Sequence, residues 1–171
     1  TGFGRAGDWF ASNRFGLEPD LITFAKGVTS GYLPLGGVLV APGVTEPFRE
    51  EGVMWRHGYT YSGHATVCAV AVANIEILEA ERLPQRALQL EDRFTEALAP
   101  LEAIDAVAEV RTGVGALAAI QFAPDLAANT QLSAVGTEES RRAGLLTRVL
   151  AGGAFQVSPP LTINDEEIEL M

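Results

Sequence analysis

A short apolar run, Leu21-Ile22-Thr23-Phe24-Ala25, stops on Lys26, and a loop of Gly, Ser and Pro follows before a second apolar run at residues 37–41, GVLVA. Runs of this length, β-branched or aliphatic and bounded by Gly and Pro, predict buried strands. The pair constrains the fold because a buried strand needs a layer on each face. It also places an ammonium group at the carboxyl end of a greasy strand. Charge alone did not require a lysine there: the chain has 12 basic residues, and Lys26 is the only one that is not Arg.

The remaining sequence reads as an alternation of helices and strands. Residues 65–80 are rich in Ala, Val and Ile, with little polar relief before Asn74. That length favours a buried helix over a strand. Pro84 suits the first turn of a second helix. Its apolar positions Ala87, Leu90, Phe94, Ala97, Leu98 and Leu101 recur every three or four residues, the spacing of one buried face. Residues 107–110 and 115–122 predict strands, and so do 145–150 and 155–158. A short helix is expected at 138–143, with Thr137 as its cap and Gly144 as its stop. Near the end, Asn164 with Glu167 three residues on has the form of a capping box. The fold class is therefore α/β, with a smaller α+β unit after it. The expected division is 1–83, a connecting helix at 84–101, and 102–171. The chain opens on Thr1 and closes on Met171 just inside a capped helix, which suggests a piece of a longer polypeptide.

Composition excludes several function classes. A net charge of −10 disfavours nucleic acid, whose phosphates require clustered cations. The longest apolar stretch, residues 65–73, falls far short of the roughly 20 residues that span a bilayer. One cysteine, Cys68, allows no internal disulfide. Together these features point to a cytoplasmic protein.

Four constellations could carry chemistry. Gly2 to Gly7, GFGRAG, matches G-x-G-x-x-G, but no strand precedes it, and Glu18 and Asp20 stand before a strand rather than at the end of one. A nicotinamide site requires both features, so a Gly-rich turn is the better reading. His57, His64 and Cys68 lack a fourth partner at zinc-site spacing. Thr23-x-x-Lys26 lacks the companion elements of the penicillin-recognising acyl transferases. Lys26 itself remains. Lysine offers what arginine does not, a primary amine that can lose its proton, and desolvation favours the neutral form. A neutral amine is the nucleophile of Schiff-base chemistry, for which the aldehyde of pyridoxal phosphate is the natural partner.

TGFGRAGDWFA, PDLITFAKGVTSGYLPLGGV, HGYTYSGHATVCAVAVANIEIL, GLLTRVL and FQVSPPLTI follow one another in this order. Together they resemble the class III, omega-type, pyridoxal-phosphate aminotransferases of fold type I. The resemblance implies the end of a large cofactor-binding domain at 1–83 and an incomplete small domain at 102–171. It implies that Lys26 forms the Schiff base and shuttles the proton. It implies that Thr60, helped by the backbone at Tyr59, binds the cofactor phosphate of a neighbouring subunit, and that Arg148 is a mobile arginine that meets a substrate carboxylate. The implied reaction moves an amino group from an amine or amino-acid donor to a keto acid such as pyruvate, in a homodimer or homotetramer. The aspartate that would protonate the pyridine nitrogen has no counterpart in these residues. A non-catalytic oligomerisation or binding module built on the same fold is the competing expectation.

Overall fold

The computed structural model describes all 171 residues. Its elements in chain order are α1 (Ala11–Arg14), β1 (Leu21–Ala25), β2 (Gly36–Val40), α2 (Pro42–Thr45), α3 (Ala65–Ala80), α4 (Leu83–Leu98), β3 (Val107–Val114), β4 (Leu117–Phe122), α5 (Pro124–Ala127), α6 (Leu132–Arg142), β5 (Val149–Leu150), β6 (Ala154–Val157) and α7 (Asp165–Glu169).

Strands β1 and β2 form an antiparallel ribbon in which Leu21 faces Val40 and Ala25 faces Gly36. The ring of Phe24 lies over Gly37, where a Cβ would come within 2.5 Å of it, so the glycine is a packing requirement. The strands form where the sequence predicts them, but they are not buried: Leu21 and Val38 keep 54% and 52% of their surface. A ribbon of two strands has two faces, and one layer of packing cannot cover both.

The second sheet is antiparallel with order β3-β4-β6-β5. Helix α4 lies against it and closes the core. Its buried side chains are Leu83, Pro84, Ala87, Leu90, Phe94 and Leu98; of the expected stripe, Ala97 and Leu101 are only half-buried, and Leu101 lies beyond the helix in a 3₁₀ turn. Ala116, Ala118, Val157, Leu161, Ile163 and Ile168 complete that core from the sheet and the chain end. Helix α3 spans the expected residues but buries only Ala71 and Leu78. Val67, Cys68, Val70 and Ile75 are half-buried and Val72 and Ile77 are exposed, which corrects the expectation of a buried helix.

The helix expected at 138–143 begins earlier, at Leu132, so Thr137 lies inside it and caps nothing. Gly136, inside the helix, packs closely against the sheet. A Cβ there would lie 2.9 Å from Cγ2 of Val149. Gly144 ends the helix as expected, at φ 92°. The N–H of Gly144 donates to the Arg141 carbonyl at 3.1 Å and that of Leu145 to the Ser140 carbonyl at 2.8 Å, which is a Schellman ending. The capping box of α7 is present with both bonds, 2.9 Å and 3.0 Å. No helix is long and apolar enough to cross a membrane.

Candidate active site

Lys26 is the first residue of a 3₁₀ turn, Lys26–Thr29, directly after β1. Its φ is +48°, and Ser30 at the other end of the turn also has φ +48°. Left-handed backbone at a residue with a Cβ costs about 1–2 kcal/mol. The turn is tied down from inside and outside. Thr29 is fully buried, and its hydroxyl donates to the Leu33 carbonyl at 2.6 Å. From α3, the Asn74 amide donates to the carbonyls of Gly27 and Val28 at 3.0 Å and 3.1 Å and accepts from the Ser30 hydroxyl at 2.6 Å.

Lys26 lines a cleft of about 810 Å³ together with Thr23, Gly2, Phe3, Arg5 and Gln156. The lysine is exposed at the edge of this cleft. The expected withdrawal from water is not produced by these residues alone, because Lys26 stays exposed among them. No Asp or Glu lines it.

The Gly-rich opening forms one wall of the cleft. It closes on itself: Gly2 bridges Phe10, and the Phe3 N–H donates to the Trp9 carbonyl at 2.6 Å. This is a turn followed by a single turn of helix, as the sequence favours, and not a strand–turn–helix phosphate loop. Arg5 points inward and donates to the carbonyls of Ala116 and Pro159. Burial pulls its guanidinium below the ordinary arginine value. Arg5 thereby fastens the opening to the β3–β4 turn. Glu91 secures the same junction by accepting from the Gly115 N–H at 2.6 Å and from Arg14 at 3.0 Å.

The other expected site residues lie elsewhere. Tyr59 and Thr60 sit in an exposed loop before α3, and neither lines the Lys26 cleft. The Tyr59 N–H donates to the Ser62 hydroxyl at 3.0 Å. Phe48, Trp55, His57 and Tyr59 stand edge-to-face in series, with centroids 5.0, 6.1 and 5.4 Å apart. His57 is thus an aromatic neighbour in this loop. Arg148 precedes β5 and is exposed. Its Nε donates to Gln156 Oε1 at 3.1 Å, and Gln156 Nε2 donates to the Ser158 hydroxyl at 3.2 Å. Arg148 lines a second, more apolar cavity of about 820 Å³. Gln156 and Ser158 line both cavities and so connect Arg148 with the Lys26 side.

Sequence reasoning missed Asn74 and Gln156 as site residues. A signal existed for Asn74, the first polar residue to interrupt an apolar helix. None existed for Gln156, whose contact with Arg148 arises only from the β5–β6 pairing.

Residues 1–171 match the family model described as Aminotransferase class-III. The putrescine–pyruvate aminotransferase of Pseudomonas aeruginosa is 38% identical over 179 residues, covering 98% of this chain and 38% of that protein. Mitochondrial gamma-aminobutyrate transaminase 1 of rice is 33% identical over 178 residues, covering 99% of this chain and 34% of that protein. Among solved structures, an (S)-enantioselective omega-transaminase from Thermomicrobium roseum superposes with TM-score 0.87 at 37% identity, covering 99% of this chain and 39% of that one. An amine transaminase from an uncultivated Pseudomonas species, in its PLP-bound form, gives TM-score 0.88 at 39% identity, covering 99% of this chain and 40% of that one. The chain spans between 34% and 40% of the length of these four proteins.

Proposed function

Since this chain belongs to the class-III aminotransferases, we propose that it supplies the cofactor-bearing lysine and one wall of the active site of a pyridoxal-phosphate transaminase. One observation carries the reading: the sole lysine starts a strained, pinned turn at the edge of a cleft of about 810 Å³. That volume lies within the roughly 300–1,000 Å³ range of small-molecule sites. A primary amine is the donor that a cofactor aldehyde requires, so the residues fit covalent attachment. The cleft offers no carboxylate to the pyridine nitrogen, and a partner for that atom would have to come from outside the lining described here.

When bound, pyridoxal phosphate acts as an electron sink that weakens a bond at the amine-bearing carbon. This chain's residues do the remaining work. The Lys26 amine holds the cofactor and, once displaced by the substrate amine, moves the proton at the substrate carbon. The Thr60 hydroxyl and backbone N–H are short donors suited to a phosphate dianion, and the Tyr59 N–H joins them by giving up its bond to the Ser62 hydroxyl. Their position away from the Lys26 cleft supports their serving the site of a second copy, hence a homodimer or homotetramer. The exposed apolar face of α3 supports the same assembly. Arg148 meets a substrate carboxylate, since its only side-chain partner, the Gln156 amide, is neutral and leaves its charge available. The substrates are an amine or amino-acid donor and a keto acid such as pyruvate, and the place of action is the cytoplasm. In this reading residues 1–83 close the large domain, 84–101 connect, and 102–171 belong to the small domain.

The test uses the full-length protein that carries this chain. Added pyridoxal phosphate is expected to give a visible absorbance band, and borohydride a stable adduct on the Lys26 peptide. Lys26→Ala should lose both. No band in the wild-type protein would defeat the reading and leave a binding module. The 171-residue chain alone is expected to be inactive, because its cleft holds no carboxylate for the pyridine nitrogen.

A further inference from the structure

We propose that Asn74 is the positioning residue for Lys26, an inference that rests on Lys26 being the cofactor-bearing lysine. Helix α3 is apolar along most of its length, and Asn74 lies on the same stripe as its two buried residues, Ala71 and Leu78. A half-buried amide on such a stripe carries a desolvation cost unless its hydrogen bonds are made. Here they are made, and all of them to one turn. Both donated bonds and the accepted bond land on Gly27, Val28 and Ser30, residues 46 or 47 and 44 positions away in sequence. These contacts fall between Lys26 and Ser30, the two residues held at φ +48°. Strained backbone persists only where its surroundings over-determine it. The contacts from α3 provide that constraint from outside, while Thr29 provides it from inside through the Leu33 carbonyl.

The consequence concerns the direction of the lysine. The Cα–Cβ bond of Lys26 leaves the strand end at an angle set by the left-handed φ. If the turn relaxes toward ordinary backbone, the side chain swings and the amine no longer meets a ligand in the cleft in an attacking geometry. Asn74 then acts on bond formation and not on ligand affinity. Asn74 does not line the cleft.

That split gives the test, made on the cofactor-free full-length protein. Two quantities are measured: the rate of covalent attachment of pyridoxal phosphate, trapped with borohydride and read on the Lys26 peptide by mass spectrometry, and the Kd of pyridoxine 5′-phosphate, which has no aldehyde. Asn74→Ala is expected to slow attachment about tenfold or more, from the loss of two amide–carbonyl bonds, with Kd unchanged. Asn74→Asp keeps the size and the acceptor for Ser30 but has no donor for the two carbonyls, and should behave alike. Ser30→Ala removes one bond and should slow attachment about threefold. Attachment within about twofold of wild type in the Asn74 variants overturns the proposal. Equal losses in rate and Kd also overturn it, since they mark general damage. Should neither Asn74 variant fold, Ser30→Ala decides alone: an unchanged rate overturns, a selective loss supports. Failure of the wild-type protein to attach the cofactor at all strikes the reading of Lys26 and is thereby distinguished from failure of this one.

Discussion

Helix α4 buries Leu83, Ala87, Leu90, Phe94 and Leu98 against the four-stranded sheet, while its neighbour α3, the more apolar of the two, buries only Ala71 and Leu78. Val72 and Ile77 of α3 keep 55% and 52% of their surface. The same contrast separates the two sheets. Ala118 and Val157 lie inside the core, whereas Leu21, Val38 and Leu39 of the ribbon face out. An amphipathic helix can finish its burial against one partner. A helix whose apolar residues are spread over more than one face needs a second surface, and so does a ribbon of two strands. The half of the molecule that holds Lys26 is therefore the half whose packing this chain does not complete. Its precision comes from hydrogen bonds to the lysine turn, not from enclosure.

Substitutions can break this comparison. The largest effect is expected from Phe94→Ala in the closed half, a loss of about 3–5 kcal/mol in denaturant unfolding. Ile77→Ser on the open face should change stability by no more than about 0.5 kcal/mol in the isolated chain. If Ile77→Ser costs as much as Phe94→Ala, the two halves do not differ as described. Gly136→Ala comes next. Its new methyl would press on Val149 and Phe155, and overpacking of this kind costs about 1–3 kcal/mol. A neutral or stabilising result would show that α6 can lift off the sheet freely. A smaller loss than from either packing substitution is expected from Asn164→Ala, which removes one side of the α7 capping box and should cost about 1 kcal/mol, so that Ile77→Ser remains the smallest effect of the series. Asn164→Asp, which keeps the acceptor, should restore nearly all of it.

Much of the fold was legible where a local pattern and its tertiary use agree. The α4 stripe is set by a local periodicity, and the Asn164–Glu167 box and the Gly144 stop by contacts within a few residues. The early start of α6 was missed because Gly136 fits a close approach between the helix and strands β5 and β6, which the sequence does not show. Lys26 was legible as a candidate, because a unique lysine at a strand end is a chemical statement as well as a structural one. Its support was less so. Asn74 lies 46 to 48 residues from the turn carbonyls and lysine it serves, and Gln156 meets Arg148 only through strand pairing.

The sequence by itself determined where the longest helices and the strands β1, β2, β3, β4 and β6 lie, how α4 divides its faces, and that one side chain alone could offer a primary amine. These follow from side-chain periodicity and chemistry, which are written residue by residue. Only the tertiary structure decided that the lysine turn is left-handed at both ends, that an amide from a distant helix pins it, and that the apolar α3 stays half uncovered. Those depend on which surfaces meet and on what is left over when they have met.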